Sequence, residues 1–183
     1  ITLRWTRRNV MYGTVISEYG GSSVLKYKDS LDEPKPKANQ VLVEIRASSV
    51  NPIDLMKREG YGKVVFEKQR FNSFPWILGS DFAGTVKEVG SKVSKFSKGD
   101  EVWGCTSDPN RGCYAQFGVF NQDEVDFKPS NISFNEAASL PYVALTTWAA
   151  LIRWATLRPQ DIQNKKVFIQ AGAGGVGTFA IQL

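Results

Sequence analysis

A curled, all-β unit followed by helices and by the first strand, turn and helix of an α/β sheet is the fold this sequence predicts. Three observations carry it. Short runs with strand-like alternation, each closed by a turn signal, fill the chain from Met11 to about Asp126. The character changes near Pro129, where a helix-capping pattern begins. The stretch from Lys166 to Leu183 then reads as an apolar strand, a glycine-rich turn and the opening of a helix.

The elements follow in chain order. Residues 1–10 contain Arg4, Arg7 and Arg8 and no acid, which suits a mitochondrial leader remnant and equally a basic tail. Without those three arginines the formal charge of +5 falls to +2, so nucleic acid is not indicated as a partner. Val41, Val43 and Ile45 alternate with Leu42, Glu44 and Arg46, as in a half-buried strand. Phe82 to Val89 is similar, and Gly90 ends it. Gly99 and Asp100 form a tight turn that feeds a strand at Glu101 to Gly104. Tyr114 to Phe120 reads as a further strand. Between them Lys57 to Phe74 is polar and irregular, with Gly60, Tyr61 and Gly62. It reads as a long loop, a kind that is often functional.

Ser133 and Glu136 have the spacing of a capping box, and Pro141 suits the first turn of a second helix. Val143, Trp148, Leu151, Ile152 and Ala155 give that helix an apolar stripe, and Pro159-Gln160-Asp161 ends it. No apolar run approaches the roughly 18–20 residues that span a bilayer. Cys105 and Cys113 are expected as free thiols. The chain has no histidine, and two cysteines alone make a poor zinc site.

Val167, Phe168 and Ile169 suit a strand covered on both faces. The turn after it reads G-x-G-G-x-G. Gly172 is expected to make the tight turn, Gly174 to leave room for a pyrophosphate, and Gly177 to let helix and strand pack closely. The helix start offers its N–H groups to phosphate. Gly172, Ala173, Gly174, Gly175, Val176 and Gly177 are therefore the candidate cofactor-binding residues. The resulting division is 1–10 leader remnant, 11–130 β-rich domain, and 131–183 connecting helices with the first β-turn-α of a nucleotide-binding domain. The sequence stops six residues after Gly177, so only the beginning of that domain is read.

The blocks Asn51-Pro52-Ile53-Asp54, Leu78-Gly79-Ser80-Asp81-Phe82-Ala83-Gly84, Gly99-Asp100-Glu101-Val102 and Leu140-Pro141-Tyr142-Val143-Ala144-Leu145-Thr146 occur in one order with the glycine turn. In this the chain resembles the medium-chain dehydrogenase/reductase superfamily, and within it the zinc-free quinone oxidoreductase branch. The resemblance implies a GroES-like barrel followed by an incomplete Rossmann domain, with the active site in the cleft between them. It implies NADPH as cofactor, with NADH left open, and a quinone or enone as small-molecule substrate. An enoyl-thioester reductase is the alternative enzyme; a cofactor-binding regulatory or partner protein is the alternative class. It favours the mitochondrial reading of the leader. A mitochondrial membrane or protein partner is open, and a homodimer is expected only of the full-length protein, as is activity.

Zinc-dependent relatives carry a ligand Cys where this chain has Asn51 and a ligand His where it has Ser80, so no zinc is expected. Asn51 and Tyr61 are the candidate catalytic residues: by family position Asn51 donates to a carbonyl or the cofactor ribose, and Tyr61, in its Gly-Tyr-Gly loop, closes over the cleft or donates a proton, or else is a surface aromatic packed on the barrel. Thr146 matches a threonine that faces nicotinamide. Asp54 and Asp81 match buried acids expected to accept hydrogen bonds, and Arg58 is open to either the cofactor or an acid and is not among the candidate site residues. The residue that separates NAD from NADP lies about 20 residues past the glycines, beyond Leu183.

Overall fold

The computed structural model describes residues 9–63, 74–106, 108, 111–157 and 166–183. Among the described residues eight strands form two antiparallel sheets. β1 (Val10–Ile16), β2 (Lys26–Asp32) and β4 (Trp76–Ile77) make a three-stranded sheet in the order β2-β1-β4. β3 (Gln40–Ala47), β5 (Asp81–Val89), β6 (Glu101–Cys105), β7 (Phe117–Asn121) and β8 (Val125–Phe127) make a five-stranded sheet in the order β7-β3-β5-β6-β8. A bridge between Gly13 and Ala115 links the two. The β3–β5 ladder slips at Leu42/Val43 and at Ile45/Ala47. Such irregularities add twist, which curls the sheet. Gly84 sits at the crossing: a Cβ there would stand 2.1 Å from Glu44 O.

Burial follows from the pleat. Val41 and Val43 point inward to Phe82, Val86, Val102 and Phe120. The rings of Phe82 and Phe120 stack with centroids 3.7 Å apart and planes 8° from parallel. Leu42 points the other way, yet is equally buried, in a second cluster with Met11, Phe117 and Val119. The half-buried strand read at 41–46 is thus covered on both faces over Val41–Val43. Leu42's face lies against β1's Met11 and is closed over rather than solvated. The strand read at Tyr114 to Phe120 forms only from Phe117.

Asn51-Pro52 opens a helix, α1 (Pro52–Arg58), so Lys57 and Arg58 are helical and not part of a loop. Residues 64–73 of the predicted loop lie outside the described residues. The Ser133–Glu136 capping box forms and starts α2 (Phe134–Ala138), with Glu136 N donating to Ser133 Oγ at 3.2 Å. α3 (Pro141–Trp148) runs into a π-helical segment at Ala149–Trp154. The apolar stripe predicted there is half-buried or exposed. Trp148 is an example at 55% exposure, because no described element packs on that side. Pro159, Gln160 and Asp161 lie outside the described residues.

The predicted strand at Val167 to Ile169 is not formed. The stretch has no ladder partner among the described residues, and Phe168 is 91% exposed. A strand of that kind exists only between parallel neighbours and under helices. The helix after it does form, as α4 (Gly175–Gln182).

Candidate functional site

The barrel end of the site is a buried polar cluster at the start of α1. Asn51 has extended backbone and occupies the N-cap, with Pro52 in the first helical position. Its backbone N–H donates to Asp54 Oδ2 at 2.9 Å. Asp54 also accepts from Ser80 Oγ at 3.0 Å and from the Tyr114 hydroxyl at 3.1 Å. Burial, with the Asp54 charge beside it, holds the Tyr114 hydroxyl well above the ordinary phenol range.

Asp81, at the first position of β5, is fully buried. Its Oδ2 accepts from Ser49 Oγ at 2.5 Å and from Asn51 Nδ2 at 2.9 Å, and Nδ2 also lies 3.0 Å from Ser49 Oγ. Ser49 and Asp81 together hold the Asn51 amide nitrogen in place. Asp81 Oδ1 accepts from the backbone N–H of Tyr142 at 2.7 Å. Burial pushes the Asp81 carboxyl up, and the Ser49, Asn51 and Tyr142 donors oppose this.

Cys105 pairs with Asp81 in the β5–β6 register. Burial, and then the neighbouring Asp81 charge, push its thiol up to about 12. Cys113 is fully buried and pushed up by that burial. Both are free thiols, as expected, and neither is poised as a thiolate.

The second part of the site is the glycine turn. Its left-handed residue is Ala171, at φ 56°, and not Gly172. The tight turn is made one residue earlier than the motif suggests. Gly177 has the expected role: a Cβ there would stand 2.3 Å from Ala171 O and 2.7 Å from Gly172 Cα. At Gly174 the nearest atom to a Cβ is Ala171 O at 3.4 Å, an ordinary contact, so the position is not crowded as Gly177 is. α4 has no side-chain cap, and its first N–H groups have no intrahelical partner. A glycine turn followed by uncapped N–H groups fits a phosphate. Gly175 packs against Val143, and Thr147 Oγ1 donates to Val176 O at 3.2 Å, which fastens the turn to α3.

A cleft of about 530 Å³ runs along α3. It is walled by Tyr142, Leu145, Thr146, Trp154, Cys105 and Glu124. A second space of about 440 Å³ shares Cys105, Glu124 and Leu145 and continues to Trp103 and Val125. Glu124 is fixed in this wall by Arg111, at 2.6 and 3.2 Å, and by Thr106 at 3.1 Å. Thr146 is exposed to the cleft and donates to Tyr142 O at 2.7 Å.

The glycine turn packs on α3 through Val143 and Thr147, whereas Thr146 faces the cleft, which no residue of the turn lines. Asn51 is joined to α3 through Asp81, but does not itself line either space. Tyr61 is 58% exposed on a turn between Gly60 and Gly62, both with positive φ, and lines neither space. Arg58 donates to Gly20 O and pairs with Glu59. Among the described residues no group of three or more His, Cys, Asp or Glu is placed to hold a metal ion. The Asp81–Tyr142 bond and the Glu124–Arg111 pair were missed in the sequence. Each joins positions far apart in the chain or separated by turns, and neither leaves a spacing signature.

Residues 37–142 match the alcohol dehydrogenase GroES-like domain family. The chain is 39% identical over 186 residues to the human mitochondrial NAD(P)H oxidoreductase RTN4IP1, covering 97% of this chain and 47% of that protein. It matches the solved quinone oxidoreductase of Coxiella burnetii at a TM-score of 0.83 and 38% identity, over 95% of this chain and 53% of that one. A mycobacterial protein complexed with NADPH matches at a TM-score of 0.74 and 29% identity, over 94% of this chain and 48% of that one. The chain spans about half the length of the relatives it matches.

Proposed function

Given that the chain belongs to the medium-chain dehydrogenase/reductase superfamily, through its alcohol dehydrogenase GroES-like domain, we propose that the full-length protein is a mitochondrial NAD(P)H oxidoreductase acting on a quinone or another conjugated carbonyl. NADPH is the preferred cofactor in this reading. The observation that carries it is the uncapped α4 behind the glycine turn, fastened to the same helix that presents Thr146 to the cleft.

The first N–H groups of α4 and the Gly172–Gly177 backbone hold the pyrophosphate. Thr146 orients the nicotinamide from the cleft wall. The bound nicotinamide supplies the hydride, and the protein supplies orientation and electrostatics. Asn51, whose amide is held by Asp81 and Ser49, donates to the acceptor carbonyl or the cofactor ribose. Tyr61 closes over the acceptor or supplies a proton, which comes otherwise from solvent. The reading is zinc-independent: the Asn51 amide and the Ser80 hydroxyl are committed to Asp81 and Asp54, and neither is a usual zinc ligand.

The test is a steady-state assay of the full-length protein with NADPH or NADH against a para-quinone, an enone and an enoyl thioester. NADPH oxidation driven by the quinone or enone is expected. Turnover with the enoyl thioester alone moves the assignment to an enoyl reductase. Failure to bind either nicotinamide cofactor overturns the proposal.

A further inference from the structure

Asp81 divides its two oxygens between the two halves of the site. Oδ2 takes Ser49 and Asn51, from the loop that precedes α1. Oδ1 takes the Tyr142 N–H, at the second position of α3 and 61 residues later in the chain. α3 has no cap of its own. The residue in its N-cap position is Leu140, whose side chain cannot accept a hydrogen bond. Its φ of −101° and ψ of −38° are helical rather than the extended geometry of a capping residue. Pro141 has no N–H, so Tyr142 N is the first helical donor that needs a partner, and Asp81 supplies it.

We propose that Asp81 is a positioning residue that holds the Asn51 amide and the Thr146-bearing helix in one frame, so that the acceptor and the nicotinamide meet at a fixed separation. The proposal rests on the roles given above to Asn51 and Thr146. A carboxylate is the side chain that does this, because it accepts on both oxygens at once. An Asn in its place has one acceptor. Turned towards Tyr142, it sets its own NH₂ against that of Asn51. Turned the other way, it leaves α3 uncapped. Asn51→Asp in the Asp81→Asn background restores the pair with the donor and acceptor exchanged, and keeps an acceptor for Tyr142.

The experiment measures NADPH dissociation constants by fluorescence titration, and kcat with a quinone, on the full-length protein. Asp81→Asn is expected to weaken NADPH binding and lower kcat, each by about tenfold or more, as loss of hydrogen bonds to a buried charge implies. The exchanged pair is expected to return NADPH affinity to within about threefold of the parent, with kcat still low, because the acceptor-facing amide is gone. Ser49→Ala touches only the Oδ2 side. It is expected to lower kcat a few-fold and to leave NADPH affinity unchanged. An Asp81→Asn protein that binds NADPH like the parent overturns the proposal, as does an exchanged pair that binds no better than Asp81→Asn. Should Asp81→Asn fail to fold, Ser49→Ala decides, and equal losses in affinity and kcat overturn the proposal. A parent that binds no nicotinamide cofactor at all is a different result, since that removes the functional reading beneath it.

Discussion

The barrel and the terminal β-turn-α segment carry similarly apolar sequences and meet opposite fates. In the barrel, Phe82 and Phe120 lose all contact with water. In the terminal segment, Phe168 is 91% and Ile181 64% exposed. The difference lies in what each pattern needs. The barrel strands find antiparallel neighbours among the described residues, some close in the chain and some as distant as Gln40 and Asn121, and each ladder covers the next. The run at Val167–Ile169 calls for parallel neighbours, which none of the described residues supplies. The turn and helix after it form regardless, because their requirements are local: a glycine at 177, a left-handed Ala171 and i→i+4 bonds. A motif can be built to shape without the sheet it belongs to.

The largest test of this contrast is a pair of substitutions. Phe82→Ala removes one of two stacked, fully buried rings, and is expected to cost about 3–5 kcal/mol in urea unfolding. Phe168→Ala is expected to change stability by less than about 0.5 kcal/mol, as an exposed side chain without packing partners should. Equal effects would mean that the terminal segment is packed in solution and that the contrast is false.

Next in size is Gly177→Ala. The added methyl meets backbone at 2.3 Å, not the end of a flexible side chain, so the turn itself must open. A cost of about 1–3 kcal/mol is expected, confined to the turn and α4. Hydrogen exchange is the measurement: faster exchange in α4 and unchanged protection in β3 and β5 sharpen the contrast. Loss of protection across β5 as well would show that the two regions unfold together. In the full-length protein the same change is expected to weaken NADPH binding by at least about tenfold.

How much of this was legible follows the same division. The strands at Val41, Phe82 and Glu101, the Ser133–Glu136 cap and the helix after the glycines were readable, because alternation, capping and turn chemistry act over a few residues. The missed features depend on what lies opposite. Leu42 looked solvent-facing until β1 closed over it. The helix that Asn51 caps was not foreseen, although N-cap Asn, Pro and then Asp54 was the available signal. Among the site residues, the glycine turn packs on α3 through Val143 and Thr147, while Thr146 on the same helix faces the cleft. Tyr61 stands apart on its own turn. Asp81 was read as a buried acceptor. That it reaches the start of α3 was not readable from residues alone, since a bond across 61 residues depends on how β5 and α3 cross.

The smallest expected effect probes the seam between the regions, at Cys105. Its thiol is raised from 9.0 to about 12 by burial and by Asp81. The native state therefore keeps a proton that the unfolded chain releases once the pH passes about 9. Stability present below that point is lost as pH climbs towards 12, and the slope of unfolding free energy against pH is negative between the two. Between pH 8 and pH 10 only the first part of that window is crossed, so the share belonging to Cys105 is about 1 kcal/mol. Cys113 and Tyr114 are pushed the same way and stay in place, so Cys105→Ala is expected to lessen the alkaline loss without abolishing it. The substitution also shortens a side chain at the cleft wall, so the slope, not the absolute stability, is the quantity to compare. Urea unfolding at pH 8 and pH 10 on both proteins gives it. An identical slope in the variant would mean that Cys105 sits in water in solution, and that the cleft between the barrel and α3 is open at its base.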